Sequence, residues 1–171
     1  MEIERKWLVT GWPENLPLVK KYLMRQGYLC TSPTVRIREE AMIDGDTDYV
    51  LCFKSRGEDG GIMRKEIEIS IPEDKFRELE DLIGIPLIEK ERRVYALKDD
   101  LKMEVNEVDV GFPTQFMYVE IEFRSLEQAK AWTPEADGLE NYLGEDVTDQ
   151  PGQTMGAYWN YTRLGKSLTE D

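Results

Sequence analysis

The sequence contains no histidine, and only two of its 171 residues are cysteines. Without histidine, a Ser-His-Asp triad and a histidine-ligated metal site are excluded. Cys30 and Cys52 belong to no CxxC motif, so zinc and iron–sulfur centres lack their usual ligands. Basic residues are also scarce, because 22 Lys and Arg stand against 35 Asp and Glu, a net charge of −13. This acidity argues against nucleic acid as a partner, since phosphate-backbone binding requires a basic surface.

Long apolar runs are absent as well. No stretch approaches the roughly 20 residues of a membrane span, and the N-terminal MEIERKWLV carries charges where a signal peptide would be apolar. We therefore expect a cytoplasmic protein with reduced thiols and no membrane partner. The chain has no low-complexity linker or break in composition, which predicts a single domain over residues 1–171.

Alternation of apolar and polar residues with a period of two dominates the chain. Because this period is typical of half-buried strands, seven segments are predicted as strands. They are residues 2–9, 34–40, 48–54, 64–70, 88–97, 101–108 and 117–124. Seven or eight strands in one small domain favour a β-barrel or a β-sandwich.

Three further segments carry helical patterns. Residues 14–26 place Leu16, Val19 and Leu23 at helical spacing. Residues 72–83 begin at a proline followed by acidic residues and stop before a glycine. Ser125, with Gln128 three residues later, forms a capping-box start for a helix over residues 125–132. We therefore predict three helices beside the strands.

Charges of like sign recur on one face of the predicted strands. Residues i and i+2 of a strand share a face, so each charged pair lies opposite apolar neighbours. The pairs are Glu2/Glu4, Arg36/Arg38, Glu66/Glu68, Lys90/Arg92 and Glu120/Glu122. Each single pair is compatible with a solvated sheet face. Their recurrence in five strands argues otherwise, because adjacent like charges repel unless they converge on a ligand of opposite charge.

The series predicts an inverted barrel with a charged lumen and with apolar outer faces covered by the helices. The lumen cations are Lys6, Arg36, Arg38, Lys54, Lys90 and Arg92, and the lumen carboxylates are Glu2, Glu4, Glu66, Glu68, Glu104, Glu120 and Glu122. Burying these ions dry and unpaired would cost several kcal/mol each. Polyphosphate together with Mg²⁺ or Mn²⁺ satisfies both sets, since Arg and Lys grip phosphate oxygens and carboxylates hold hard cations.

These residues resemble the triphosphate tunnel metalloenzymes of the CYTH superfamily. The family's ExExK motif corresponds to Glu2, Glu4 and Lys6, and matching stretches follow along the chain as VRIRE, EIEI, EKER, EVN, VEIEF and GEDVT. The resemblance implies an α+β fold with an antiparallel, eight-stranded closed tunnel, and an activity like that of the bacterial inorganic triphosphatases, with Mg²⁺ or Mn²⁺ as cofactor. The chain departs from the family at Asn106, where many members carry Asp, and before Tyr158, where the usual basic residue is missing.

The preferred function is hydrolysis of tripolyphosphate to diphosphate and phosphate. The alternatives are class IV adenylyl cyclase, thiamine or nucleoside triphosphatase, and a non-enzymatic polyphosphate-binding module. Cyclisation needs a pocket for adenine and ribose, to which no sequence feature can be assigned. A pure binding module would not need clustered carboxylates in addition to cations. A homodimer is compatible with the sequence.

The predicted roles follow from charge and spacing. Glu2, Glu4, Glu120 and Glu122 would hold the metal ion, with Glu66 or Glu68 serving a second ion and Glu104 as a further ligand. The substrate phosphates would be bound by Lys6 and the remaining lumen cations, which are Arg36, Arg38, Lys54, Lys90 and Arg92. Glu4 would orient the attacking water, and Lys6 would bridge to a phosphate oxygen.

Overall fold

The regular structure is nearly all antiparallel. The computed structural model describes residues 1–168, and within them lie nine strands and three α-helices. In chain order these are β1 (Glu2–Val9), β2 (Leu18–Thr31), β3 (Thr34–Met42), β4 (Thr47–Lys54), β5 (Met63–Arg64), β6 (Glu66–Ser70), α1 (Glu73–Ile83), β7 (Ile88–Ala96), β8 (Lys102–Val108), β9 (Phe116–Glu122), α2 (Leu126–Ala131) and α3 (Met155–Leu164).

The strands form one sheet that curls into a nearly closed barrel. The strand order is β5-β1-β9-β8-β7-β2-β3-β4-β6, and only Lys65 separates the two end strands β5 and β6 along the chain. The segment 145–148 continues the seam, because it hydrogen-bonds to β1 beyond the point where β5 ends. The predicted antiparallel barrel is therefore confirmed. The predicted count of eight strands is reached when β5 and β6 are taken together.

The apolar outer faces of the strands pack under two helices. On one side, Val105 and Ile121 join Trp7 and Trp132 beneath α2. The Ser125 hydroxyl accepts a hydrogen bond from the Gln128 amide at 3.0 Å, so the predicted helix start is confirmed.

On the other side, α1 covers β3 and β4. Its Phe76 is fully buried and lies 5.1 Å, centroid to centroid, from the Tyr49 ring. This helix ends at Gly84, whose φ of 71° is a left-handed conformation that glycine adopts without strain. The helix predicted over residues 72–83 is therefore confirmed.

The helix predicted over residues 14–26 is wrong, because most of this segment belongs to β2. β2 is 14 residues long and pairs with β3 on one side and β7 on the other. Its alternation buries Met24 and Gln26, whereas Leu23, which a helix would have buried, is 52% exposed. Hydrogen bonding to two neighbouring strands outweighs a helical spacing of only three apolar residues.

The third helix is α3, which the sequence analysis missed. The Thr154 hydroxyl caps its first turn, and Trp159 packs against Tyr28 with ring centroids 5.7 Å apart. Unlike α1 and α2, it borders the barrel interior, to which Met155 and Ala157 contribute. None of the helices within residues 1–168 is long and apolar enough to span a lipid bilayer.

Candidate functional site

The barrel encloses a cavity of about 630 Å³. All thirteen residues predicted for the lumen line it, because each lies at an inward-facing position of its strand. They are Glu2, Glu4, Lys6, Arg36, Arg38, Lys54, Glu66, Glu68, Lys90, Arg92, Glu104, Glu120 and Glu122. The structure thus brings together groups that are up to 120 residues apart in the sequence.

The strand order separates the two kinds of charge. Carboxylates come from β6, β1, β9 and β8, which follow one another around the barrel with the short β5 between β6 and β1. We call this the acidic wall. Cations come from β7, β3 and β4, which with β2 form the opposite side, the basic wall. The exceptions are Lys6 on β1 and Arg64 on β5, two cations within the acidic wall.

Two glutamates of the acidic wall are hydrogen-bonded to each other. Burial raises the pKa of Glu4 well above its usual range, and the neighbouring charge of Glu120 raises it further. Burial also acts to raise the pKa of Glu120, but the hydrogen bond from Glu4 and the charge of Lys6 outweigh it, so this pKa is lowered. The two carboxyl groups therefore have pKa values displaced in opposite directions, as expected for carboxyl groups in direct contact.

A second crowded group lies where β1, β4 and β6 meet. Lys54 Nζ is 2.9 Å from Glu2 Oε1 and 3.4 Å from Glu66 Oε2. Burial and a hydrogen bond with Glu66 raise the pKa of Glu2 in spite of this lysine. The pKa of Glu122 is raised too, by burial and then by the charges of other glutamates, Glu2 first. The acidic wall thus carries more negative charge than its own cations compensate.

Two arginines of the basic wall are held by partners on their own or a neighbouring strand. Arg92 Nη1 lies 2.8 Å from Glu104 Oε2, and its Nε donates to Asn106 Oδ1 at 2.8 Å. Arg38 Nε donates to Glu40 Oε1 at 2.7 Å. Asn106 therefore serves as a neutral acceptor that orients Arg92.

Of the six predicted lumen cations, the other three, Lys6, Lys90 and Arg36, form no ion pair with any residue of the described range 1–168. Lys6 Nζ instead donates to the carbonyl oxygen of Gln153, and Lys90 Nζ donates to the Tyr118 hydroxyl at 2.9 Å. Burial lowers the pKa of both lysines, and the neighbouring Arg92 lowers that of Lys90 further. Both ammonium groups feel the charge of Glu120, but neither has a carboxylate within ion-pair distance among the described residues, which favours the entry of an anion.

Several lining residues escaped the sequence analysis. Tyr118 shares strand parity with Glu120, so the alternation could have placed it in the lumen. Arg64 has the same parity as Glu66 and Glu68 in the predicted strand 64–70, so alternation could have placed it there too. The loop from Val147 to Thr154 and the first turn of α3 carried no strand or helix signal, and only the fold brings them to the cavity. Cys52 also faces inward, with its Sγ within 4.8 Å of carboxylate oxygens of Glu66 and Glu68.

The donor set of the acidic wall suits a divalent cation that prefers oxygen ligands. Seven carboxylates converge there, and two pairs of them approach closely enough to share a hydrogen bond, Glu4 with Glu120 and Glu2 with Glu66. Carboxylates this close repel each other unless a proton or a metal ion lies between them. Hard cations such as Mg²⁺ and Mn²⁺ bind such oxygen clusters.

Fold and site together define a tunnel-type β-barrel with an acidic and a basic wall facing each other across the lumen. The chain belongs to the CYTH domain family, whose model matches residues 1–148. No protein with a curated description matches the chain significantly.

Solved structures agree with this assignment. The inorganic triphosphatase NE1496 is 29% identical to this chain, with 92% of this chain and 93% of that chain covered and a TM-score of 0.61. A conserved hypothetical protein from Pyrococcus furiosus is 25% identical, covering 84% and 94% of the two chains with a TM-score of 0.59. HpAC1 from Hippeastrum, which has a dominant triphosphatase activity, is 21% identical with a TM-score of 0.55 over 76% of this chain and 83% of its own. At that identity it supports the fold alone.

Proposed function

We propose that the protein hydrolyses inorganic triphosphate to diphosphate and phosphate inside the tunnel, with Mg²⁺ or Mn²⁺ bound by the acidic wall. The observation that carries the proposal is the segregation of charge in the lumen. A polyanion alone would need only the basic wall, and a cation alone would need only the acidic wall. A ligand consisting of a phosphate chain with divalent cations complements both walls at once. The similarity to NE1496, an inorganic triphosphatase, supports the same activity.

Glu2, Glu4, Glu120 and Glu122 would hold the cation, with Glu66, Glu68 and Glu104 close enough in the wall to serve a second one. When bound, a divalent cation would neutralise phosphate charge and lower the pKa of a coordinated water. It would also relieve the repulsion between the neighbouring carboxyl groups of Glu4 and Glu120.

The basic wall would bind the phosphate chain. Arg36, Arg38, Lys54, Lys90 and Arg92 supply charge-assisted hydrogen bonds to its oxygens, and Lys6 reaches the chain from the opposite wall. These contacts stabilise the negative charge that develops on the leaving diphosphate as the bond to the terminal phosphorus breaks.

With the cation bound, Glu4 would be ionised, and its carboxylate would orient the attacking water and accept its proton. The water oxygen attacks the terminal phosphorus, the bond to the bridging oxygen breaks, and the products are phosphate and diphosphate.

We propose an unsubstituted phosphate chain as the substrate in preference to a nucleotide or thiamine triphosphate. Among the described lining residues the only aromatic ones are Tyr28 and Tyr118, which are 5% and 1% exposed and lie beside cations. No aromatic face is therefore available to stack a nucleobase or a thiamine ring.

The test is release of phosphate from tripolyphosphate, ATP and thiamine triphosphate, each measured with Mg²⁺, with Mn²⁺ and with excess EDTA. We expect the highest kcat/KM with tripolyphosphate and no release of phosphate in EDTA. Undiminished hydrolysis in EDTA would contradict the metal requirement. Higher kcat/KM with ATP or thiamine triphosphate would favour the alternative substrates, and tight binding of tripolyphosphate without phosphate release would favour a binding module.

A further inference from the structure

Tyr118 lies between two lysines that come from different strands. It is on β9 and is only 1% exposed, yet its side chain lines the cavity. Lys6 lies on β1, the neighbour of β9, whereas Lys90 lies on β7, beyond β8 on the other side. The side chain of Tyr118 therefore lies between a cation of the acidic wall and a cation of the basic wall.

The tyrosine contacts each lysine with a different part of its side chain. Its hydroxyl accepts a hydrogen bond from Lys90 Nζ at 2.9 Å. Its ring faces Lys6 Nζ, which lies 4.3 Å from the ring centroid, within the range of a cation–π interaction. Both contacts are desolvated, which strengthens them relative to the same contacts in water.

The tyrosine itself is held in place by aromatic packing. Its ring is stacked on Phe116, with centroids 5.7 Å apart and planes at 24°. Phe116 in turn lies 5.0 Å from the ring of Tyr158 on α3. A ring packed in this way has little rotamer freedom. The two flexible lysine side chains therefore contact a group that stays in one position.

We propose that Tyr118 is a positioning residue that holds Lys6 and Lys90 so that both ammonium groups reach the same bound phosphate. The inference rests on the proposed function and extends it to a residue with no charge. A carboxylate between the lysines would also hold them, but it would neutralise the charges that the phosphate needs. A neutral hydroxyl and an aromatic face orient the ammonium groups and leave their charges available.

The experiment is a double-mutant cycle between Tyr118→Phe and Lys90→Met, measured as kcat and KM for tripolyphosphate. Phe keeps the ring for Lys6 and removes only the acceptor of Lys90. In the parent protein we expect Tyr118→Phe to lower kcat/KM about tenfold, as expected when a hydrogen bond to a charged group is lost. In the Lys90→Met background the same substitution should change kcat/KM less than about twofold, because its partner is already absent.

Equal losses in both backgrounds would overturn the positioning role, since a merely structural tyrosine would act independently of Lys90. Tyr95→Phe is the matched control, because Tyr95 is buried in the outer core and should leave kcat/KM unchanged. Tyr118→Leu removes both contacts and should raise KM further than Tyr118→Phe does.

The proposed function is tested separately by the parent protein. A parent protein that releases phosphate, with Tyr118→Phe as active as the parent, overturns the positioning role alone. A parent protein that releases none overturns the proposed function. The same cycle is then measured as the Kd for tripolyphosphate by titration calorimetry. If Tyr118→Phe weakens binding equally in the parent and in Lys90→Met, the positioning role is again overturned. If it weakens binding only in the parent, the role is supported.

Discussion

At the scale of single residues, Glu4 and Lys6 share one face of β1 but have different surroundings. Glu4 is hydrogen-bonded within the acidic wall, whereas the Lys6 ammonium meets a ring and a carbonyl oxygen. The carboxyl group can exchange a proton, and the ammonium can contact an anion. Their roles should therefore separate in single variants.

We expect Glu4→Gln to lower the turnover of tripolyphosphate about 100-fold, as for other general bases, and to retain much of the anion binding.

Lys6→Ala should weaken tripolyphosphate binding at least about tenfold, because it removes a charge-assisted contact. Steady-state kinetics and titration calorimetry check both. Glu89→Gln and Lys130→Ala, on exposed side chains, are the controls. The opposite pattern would mean that the two roles are assigned the wrong way round.

Lys90 illustrates a cost in stability at the proposed phosphate-binding wall. Burial and the charges of Arg92, Arg38 and Arg36 lower its pKa well below the usual range, which means that folding opposes its charge. Lys90→Met should therefore raise the free energy of unfolding by about 1 kcal/mol or more, while tripolyphosphate binding falls. Urea denaturation and calorimetry measure the two effects. Lys130→Met should change neither, and a Lys90→Met protein less stable than the parent would refute the argument.

At the scale of elements, α3 depends on one buried carboxylate that follows β8. Asp109 accepts hydrogen bonds from the Tyr158 hydroxyl at 2.6 Å and from Arg163 Nη1 at 2.7 Å, both on α3, and from the Glu89 amide at 3.1 Å. Burial acts to raise its pKa, but the hydrogen bonds from Arg163 and Tyr158 outweigh burial and lower it. These hydrogen bonds to Asp109 hold α3, which borders the cavity, against the barrel.

Asp109→Asn should lower the free energy of unfolding by about 2 kcal/mol at pH 7, since hydrogen bonds to a charged group are lost. Because the folded-state pKa lies below the unfolded value of about 3.9, this contribution is present above that value and disappears as the pH falls through the folded-state pKa. Thermal unfolding of parent and variant should therefore converge in acid. Asp100→Asn, at a carboxylate that is 98% exposed, should match the parent at every pH.

At the scale of the whole molecule, the acidic wall and the net charge of −13 both favour divalent cations, but in different ways. Diffuse charge responds to any salt, whereas a site responds to a particular ion. We expect MgCl₂ or MnCl₂ to raise the midpoint of thermal unfolding more than NaCl of equal ionic strength does. At 100 times the Kd, bound metal would add about 2.7 kcal/mol to the stability.

The double variant Glu4→Gln/Glu120→Gln tests whether the wall is responsible. It should lose most of the shift caused by divalent cations and keep the response to NaCl. Glu89→Gln should behave like the parent. Equal shifts with NaCl and MgCl₂ in the parent would argue against a metal site.

Much of the lumen could be predicted from the sequence because strand parity is a local property. In β1, alternation alone assigns Glu2, Glu4 and Lys6 to one face and Trp7 to the other, and the structure agrees. The same reasoning failed for residues 14–26, where three apolar residues at helical spacing concealed the strand β2. It also gave no signal for α3 or for the Gln153 carbonyl, because a backbone group carries no sequence pattern.

The sequence by itself determined which residues face the lumen, because the pleat of a strand makes the charged face and the apolar face alternate. The tertiary structure alone decided how those residues are arranged. Only the strand order sets carboxylates from β1, β8, β9 and β6 opposite cations from β7, β3 and β4. Pairing between distant strands is a non-local choice, made when the apolar outer faces are buried together under the helices, and it is this choice that turns a set of charged strands into a two-walled tunnel.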